Sequence, residues 1–100
     1  MKFDDNNIQE ISKLCRAFNV MHLYVFGSYA AGDFSDNSDV DFLVEFNRNG
    51  FPGAFDQYSE LKTGLENVLR RSVDLICLGS IRNSVFKREV EATKEIVYAA

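Results

Sequence analysis

Phe26-Gly27-Ser28-Tyr29-Ala30-Ala31-Gly32-Asp33-Phe34-Ser35-Asp36-Asn37-Ser38-Asp39-Val40-Asp41-Phe42-Leu43-Val44 sets a Gly-Ser turn a fixed distance before two carboxylates spaced i, i+2 on an apolar run. On a strand, residues two apart point to the same face, about 6.5–7 Å apart at Cα. Two carboxylates on one face of a rigid element can share divalent cations, and hard cations such as Mg²⁺ take oxygen ligands. A Gly-Ser turn offers backbone N–H groups and a hydroxyl, the donors that a polyphosphate requires. The stretch reads as a site for metal-assisted chemistry on a nucleoside triphosphate. An Asp-x-Asp pair alone is common on solvated strand edges, and a Gly-Ser pair alone is a common turn. Their conjunction is different: two acids on a strand that is otherwise Val40, Phe42, Leu43 and Val44 are costly to bury without cations or donors.

Outward from this stretch, the elements fall into place. Asn7 followed by Glu10 fits a capping box, and Ile8, Ile11, Leu14, Cys15 and Phe18 repeat at helical spacing, so a first helix runs to about Phe18 and ends at Asn19. Met21 to Phe26 reads as a strand closed by Gly27. Tyr29 to Asp33 fits a short helical turn with Ser28 near its N-cap, aiming amides at an anion. Val40 to Phe46 is a second strand, antiparallel to the first, and Asn47 to Gly53 is a loop. Phe55, Tyr58, Leu61, Leu65, Val68 and Leu69 give a second long helix. Val73 to Leu78 is a third strand, and Ser80 to Val97 a last helix with Ile81, Val85, Phe86, Val90, Thr93 and Val97 inward. The order α-β-α-β-α-β-α predicts an α/β (α+β) fold: a small mixed sheet with helices largely on one face.

Bulk properties set limits. One hundred residues, 1–100, make a single domain. A net charge of -4 argues against nonspecific binding to long nucleic acid, which needs a basic surface. Cys15 and Cys77 have no metal spacing and read as small buried hydrophobes, not as a disulfide. No signal peptide or membrane span is evident, so the expected location is cytoplasmic. His22, the only histidine, reads as a surface or structural residue. Asp33 and Asp36 read as turn residues, and Arg70, Arg71, Arg82, Lys87 and Arg88 as decoration of helix ends and surfaces. Phe51 and Phe55 flank the Gly/Pro loop and are candidates for contact with a partner.

The pattern Gly-Ser-x-Ala-x-Gly-x5-Ser-Asp-x-Asp followed by an apolar run resembles the nucleotidyltransferases of the DNA polymerase beta superfamily. Within that superfamily the short chain resembles the minimal nucleotidyltransferase (MNT) domains, antitoxins that stand beside HEPN-domain toxins. The resemblance implies a palm-like fold and a third carboxylate on a later strand, a place that Asp74 in Arg71-Ser72-Val73-Asp74-Leu75-Ile76 fits; an acid there could also face solvent at a sheet edge. It implies catalytic and metal-binding roles for Asp39, Asp41 and Asp74, with a cation, or two, of Mg²⁺. Gly27 would allow close backbone approach, Ser28 would hold a β- or γ-phosphate, Gly32 would shape the turn, and Ser38 would orient Asp39. Many relatives carry a basic residue at the place of Ala31, and its absence bears on the strength of nucleotide binding.

Larger relatives use an added helical domain to grip the substrate, so this short chain is expected to work with a partner subunit that completes the site or presents the acceptor. The resemblance implies transfer of AMP from ATP to a hydroxyl, such as a tyrosine, of a HEPN toxin. Two other readings stay open: a non-catalytic antitoxin that blocks its partner by contact, and a small-molecule nucleotidyltransferase resembling those that modify aminoglycosides.

Overall fold

The computed structural model describes residues 3–27, 39–47 and 54–100. The first helix, α1 (Asp5–Ala17), is capped by Asp4, whose carboxylate accepts the Asn7 N–H at 2.7 Å. The cap therefore lies three residues before the expected Asn7. Aspartate caps as well as asparagine and adds a negative charge at the positive end of the helix dipole. The helix closes where expected: Asn19 adopts φ 55°, a left-handed conformation that asparagine tolerates.

Among the described residues, four strands and two further helices follow: β1 (Val20–Phe26), β2 (Val40–Phe46), α2 (Ala54–Leu69), β3 (Val73–Cys77), a single 3-10 turn (Leu78–Ser80), α3 (Ser84–Thr93) and β4 (Glu95–Ala99). The sheet order is β3-β2-β1-β4. β1 runs antiparallel to β2 and to β4, and β2 runs parallel to β3. The parallel pair requires a crossover, which α2 supplies.

The C-terminal region departs from expectation. Residues Ser80 to Val97 do not form one helix. Asn83 caps α3 by accepting the N–H groups of Val85 and Phe86 at 2.9 and 3.1 Å. Lys94 then turns to ψ 140° and the chain extends as β4 beside β1, pairing Glu95 with Val25, Ile96 with Tyr24 and Tyr98 with Leu23. Valine, isoleucine and tyrosine suit a strand as well as a helical stripe, and the open side of β1 supplies hydrogen bonds that a longer helix could not. Val85, expected inward, is 61% exposed. The short helix expected at Tyr29–Asp33 lies outside the described residues.

Alternation along the strands divides the sheet into two faces. Leu23, Val25, Val40, Phe42, Val44, Val73 and Leu75 pack with Ile11, Cys15, Leu61 and Leu65 of α1 and α2. Phe3 stacks on Phe42 with centroids 6.0 Å apart. The helices cross closely at Gly64, where a Cβ would meet the Leu14 side chain at 2.7 Å. Helices were expected largely on one face, but α3 covers part of the other: Val90 is buried against Phe26 and Leu43, with Phe86 beside them. Both cysteines are free, and burial pushes the Cys15 thiol up to about 12. Among the described residues, no helix is long and apolar enough to cross a membrane.

Candidate active site

The candidate carboxylates sit on the face opposite α1 and α2, and strand phase puts them there. Val40 and Phe42 are fully buried on the core side, so Asp41 between them must point to the other face, where it is half-buried. On β3, Val73 and Leu75 face the core, so Asp74 points the same way as Asp41. Register completes the alignment: Asp41 pairs with Asp74 across the parallel ladder and with Phe26 across the antiparallel one. The end of β1 and the starts of β2 and β3 therefore bring Gly27, Asp41 and Asp74 to one end of the sheet. Asp74 is exposed and lies on the edge strand, as its solvent-facing alternative foresaw, yet it stands in register with Asp41. Asp39 is exposed just before β2.

Electrostatics register this convergence. Burial, then the negative charge of Asp74, then that of Asp39, hold the Asp41 carboxyl above the ordinary carboxylate range. Like charges crowded together disfavour ionisation. Among the described residues, no three His, Cys, Asp or Glu side chains form a ready-made metal cluster.

Gly27 has φ +71° and packs directly against the carboxylate: a Cβ there would meet Asp41 Oδ2 at 2.6 Å. Its close approach is thus to an acid. Its N–H donates to Thr93 Oγ1 at 3.4 Å. A cavity of about 420 Å³ opens beside this contact, lined by Phe26, Gly27, Asp41, Phe86, Val90 and Thr93 among others. Phe86 meets Phe26 edge to face at 6.0 Å. Helical spacing alone puts Phe86 and Thr93 only on an inner stripe; the signal for more is their position on the helix that directly follows β3.

Ser28, Gly32, Ala31 and Ser38, with Asp33, Asp36 and Phe51, lie outside the described residues. His22 has the structural role expected of it: its Nδ1 meets Glu45 Oε1 at 2.7 Å across β1 and β2.

The chain matches the family described as Polymerase beta, Nucleotidyltransferase over residues 7–100. A protein of Methanocaldococcus jannaschii, provisionally named a protein adenylyltransferase, is 40% identical over 81 residues, covering 81% of this chain and 78% of that one. Among solved structures, a crystal structure of a toxin–antitoxin with AMP-PNP aligns with a TM-score of 0.72 and 28% identity over 94% of this chain and 74% of the other. A chain of the tri-AMPylated Shewanella oneidensis HEPN toxin in complex with an MNT antitoxin aligns at TM-score 0.64 and 25% identity, over 95% of this chain and 71% of that one. With a four-stranded mixed sheet carrying two acids in register beside a glycine turn, and with a match that runs over nearly its whole length, the chain belongs to the polymerase beta nucleotidyltransferase family.

Proposed function

We propose that this protein is an Mg²⁺-dependent protein adenylyltransferase that transfers AMP from ATP to a tyrosine hydroxyl of a HEPN-domain toxin and thereby acts as its antitoxin. The observation that carries the reading is the register of Asp41 with Asp74 at the sheet end occupied by Gly27. The similarity to a toxin–antitoxin with AMP-PNP, and to the AMPylated HEPN complex, supports the choice of donor and partner.

The donor set fits a divalent cation. Asp39, Asp41 and Asp74 are hard oxygen ligands; burial first, and then the charges of Asp74 and Asp39, raise Asp41, and positive charge between the acids would offset both. These three residues would hold Mg²⁺, which when bound neutralises phosphate charge and lowers the proton affinity of the attacking oxygen. In the transfer, the acceptor hydroxyl oxygen forms a bond to the α-phosphorus of ATP, the bond from that phosphorus to the bridging β-oxygen breaks, and pyrophosphate leaves. The hydroxyl proton passes to the Asp74 carboxylate, which is exposed where Asp41 is half-buried, and then to water. Asp41, half-buried and pressed against Gly27, orients the site. Gly27 allows close backbone approach, Ser28 receives the triphosphate through its backbone amide and hydroxyl, and Ser38 orients Asp39. Such a reaction draws its rate from positioning and charge neutralisation.

The test is incubation of the protein with α-labelled ATP, Mg²⁺ and the HEPN protein encoded beside it, followed by intact-mass analysis. The expected result is a gain of one AMP unit per transfer on a tyrosine of the partner, dependent on Mg²⁺ and absent with Asp41→Ala. No mass change while the toxin is still neutralised would overturn the catalytic reading in favour of contact alone. Label on a small-molecule antibiotic and never on protein would overturn the antitoxin reading.

A further inference from the structure

We infer that Thr93, the last residue of α3, is a positioning residue for nucleotidyl transfer that sets the place of Gly27 against Asp41. The inference rests on the proposed transfer reaction and adds to it a residue from outside the glycine turn and the acids.

Thr93 makes two hydrogen bonds with one hydroxyl. Its Oγ1 donates to the Glu89 carbonyl at 3.0 Å, one helical turn back. Its proton is thereby committed, and the oxygen faces the Gly27 N–H as an acceptor at 3.4 Å. Threonine makes such a backward bond readily in a helix, which fixes the hydroxyl's direction. The helix end itself is anchored. Lys94 caps it, donating its N–H to the Val90 carbonyl, and places its ammonium 4.5 Å from the Tyr24 ring centroid, while β4 begins one residue later and pairs with the stretch of β1, His22 to Val25, that leads into Phe26 and Gly27. Thr93 therefore links a rigid corner of the fold to the residue whose missing Cβ leaves room for Asp41 Oδ2.

This bond has a consequence for phosphate binding. The Gly27 amide is already directed at Thr93, so it serves to fix the turn, and the donors left for a triphosphate are those that follow it. Small misplacements of a reacting group lower the rate more than they lower ground-state binding.

The experiment compares Thr93→Val, which keeps the shape and removes the hydroxyl, with Thr93→Ser, which keeps the hydroxyl. Steady-state AMP transfer to the HEPN partner is measured with ATP and Mg²⁺, alongside thermal melting and the amide exchange rate of Gly27. A neutral hydrogen bond lost from a positioned group predicts that Thr93→Val lowers kcat by about 3- to 10-fold, while KM for ATP moves less than about 2-fold. Gly27 exchange quickens, and Thr93→Ser restores kcat to within about 2-fold of the parent. A Thr93→Val enzyme with unchanged kcat, or a Thr93→Ser enzyme as slow as Thr93→Val, would overturn the inference while leaving the proposed transfer intact. A parent protein that transfers no AMP under the same conditions would overturn the proposed function, and this inference with it.

Discussion

The carboxylate of Asp41 lies against the backbone of Gly27, so close that a methyl group on Gly27 would stand 2.6 Å from Oδ2. Gly27 also holds φ +71°, where a side chain is strained whatever the space. Gly27→Ala should therefore act twice. The left-handed backbone costs about 1–2 kcal/mol, a fall in Tm of roughly 4–8 °C per kcal/mol for a domain this small. Relief of the clash displaces Asp41, and a shift on the order of 1 Å lowers transfer by about 100-fold. Melting curves and initial rates on the same preparation test it. A variant that melts lower but transfers at the parent rate would show that Asp41 need not be held there.

Asp41 couples function to stability. Its folded carboxyl lies above the ordinary value, because of burial first and the charges of Asp74 and Asp39 second. An acid with a raised folded pKa holds its proton more tightly in the fold than in the unfolded chain. Without cations, the protein then loses stability as pH rises from about 4 through that raised value, and the loss persists at neutral pH. Asp41→Asn removes this loss. The variant should be more stable than the parent at pH 7 in chelator, with a flatter stability–pH profile, and at least about 100-fold slower in transfer. Denaturant titrations across the acid range check it, and parallel profiles for the two proteins would contradict the account.

How far the sequence revealed this arrangement depends on the range of the forces involved. Local signals sufficed for the helix at Ile8–Phe18, for three strands and for the helix at Tyr58–Leu69, because apolar spacing and punctuation by Gly27 and Asn19 are short-range features. The acids were legible for a similar reason: a charge inside Val40-Asp41-Phe42 or Val73-Asp74-Leu75 conflicts with its neighbours. β4 was not legible. Val90, Thr93 and Val97 keep helical spacing straight through the break at Lys94, and what turns Glu95–Ala99 into a strand is the open side of β1, some seventy residues earlier in the chain. Thr93 stayed hidden behind the same error. A residue in mid-helix has no route to Gly27; a residue at the corner between α3 and β4 does.

Gln57 offers a test of the fold apart from the site. It is fully buried on α2, and its Nε2 donates to the Phe18 carbonyl at 2.7 Å and to the Asn47 carbonyl at 3.4 Å. One side chain thus ties the end of α1 to the end of β2. Gln57→Leu preserves volume and leaves those carbonyls without this donor, which costs about 1–3 kcal/mol. The expected outcome is a lower denaturant midpoint with an unchanged slope, and a transfer rate at 25 °C close to that of the parent. An unaltered midpoint would mean that Gln57 contributes packing alone.

Cation binding should be readable as stability. If Asp39, Asp41 and Asp74 gather around Mg²⁺, the folded protein binds it and the unfolded chain does not. At ten times Kd, a single site adds about 1.4 kcal/mol, enough to raise Tm by several degrees. Ca²⁺ should stabilise too, since oxygen ligands accept it, whereas a monovalent salt at equal ionic strength should do far less. Asp41→Asn and Asp74→Asn should each blunt the Mg²⁺ response, and the Asp41 variant should lose more of it, because its carboxylate is the one already pressed by the other two. Melting curves with Mg²⁺, with chelator and with matched NaCl decide the matter. Equal responses to Mg²⁺ in the parent and both variants would place the cation elsewhere and remove these acids from the metal site.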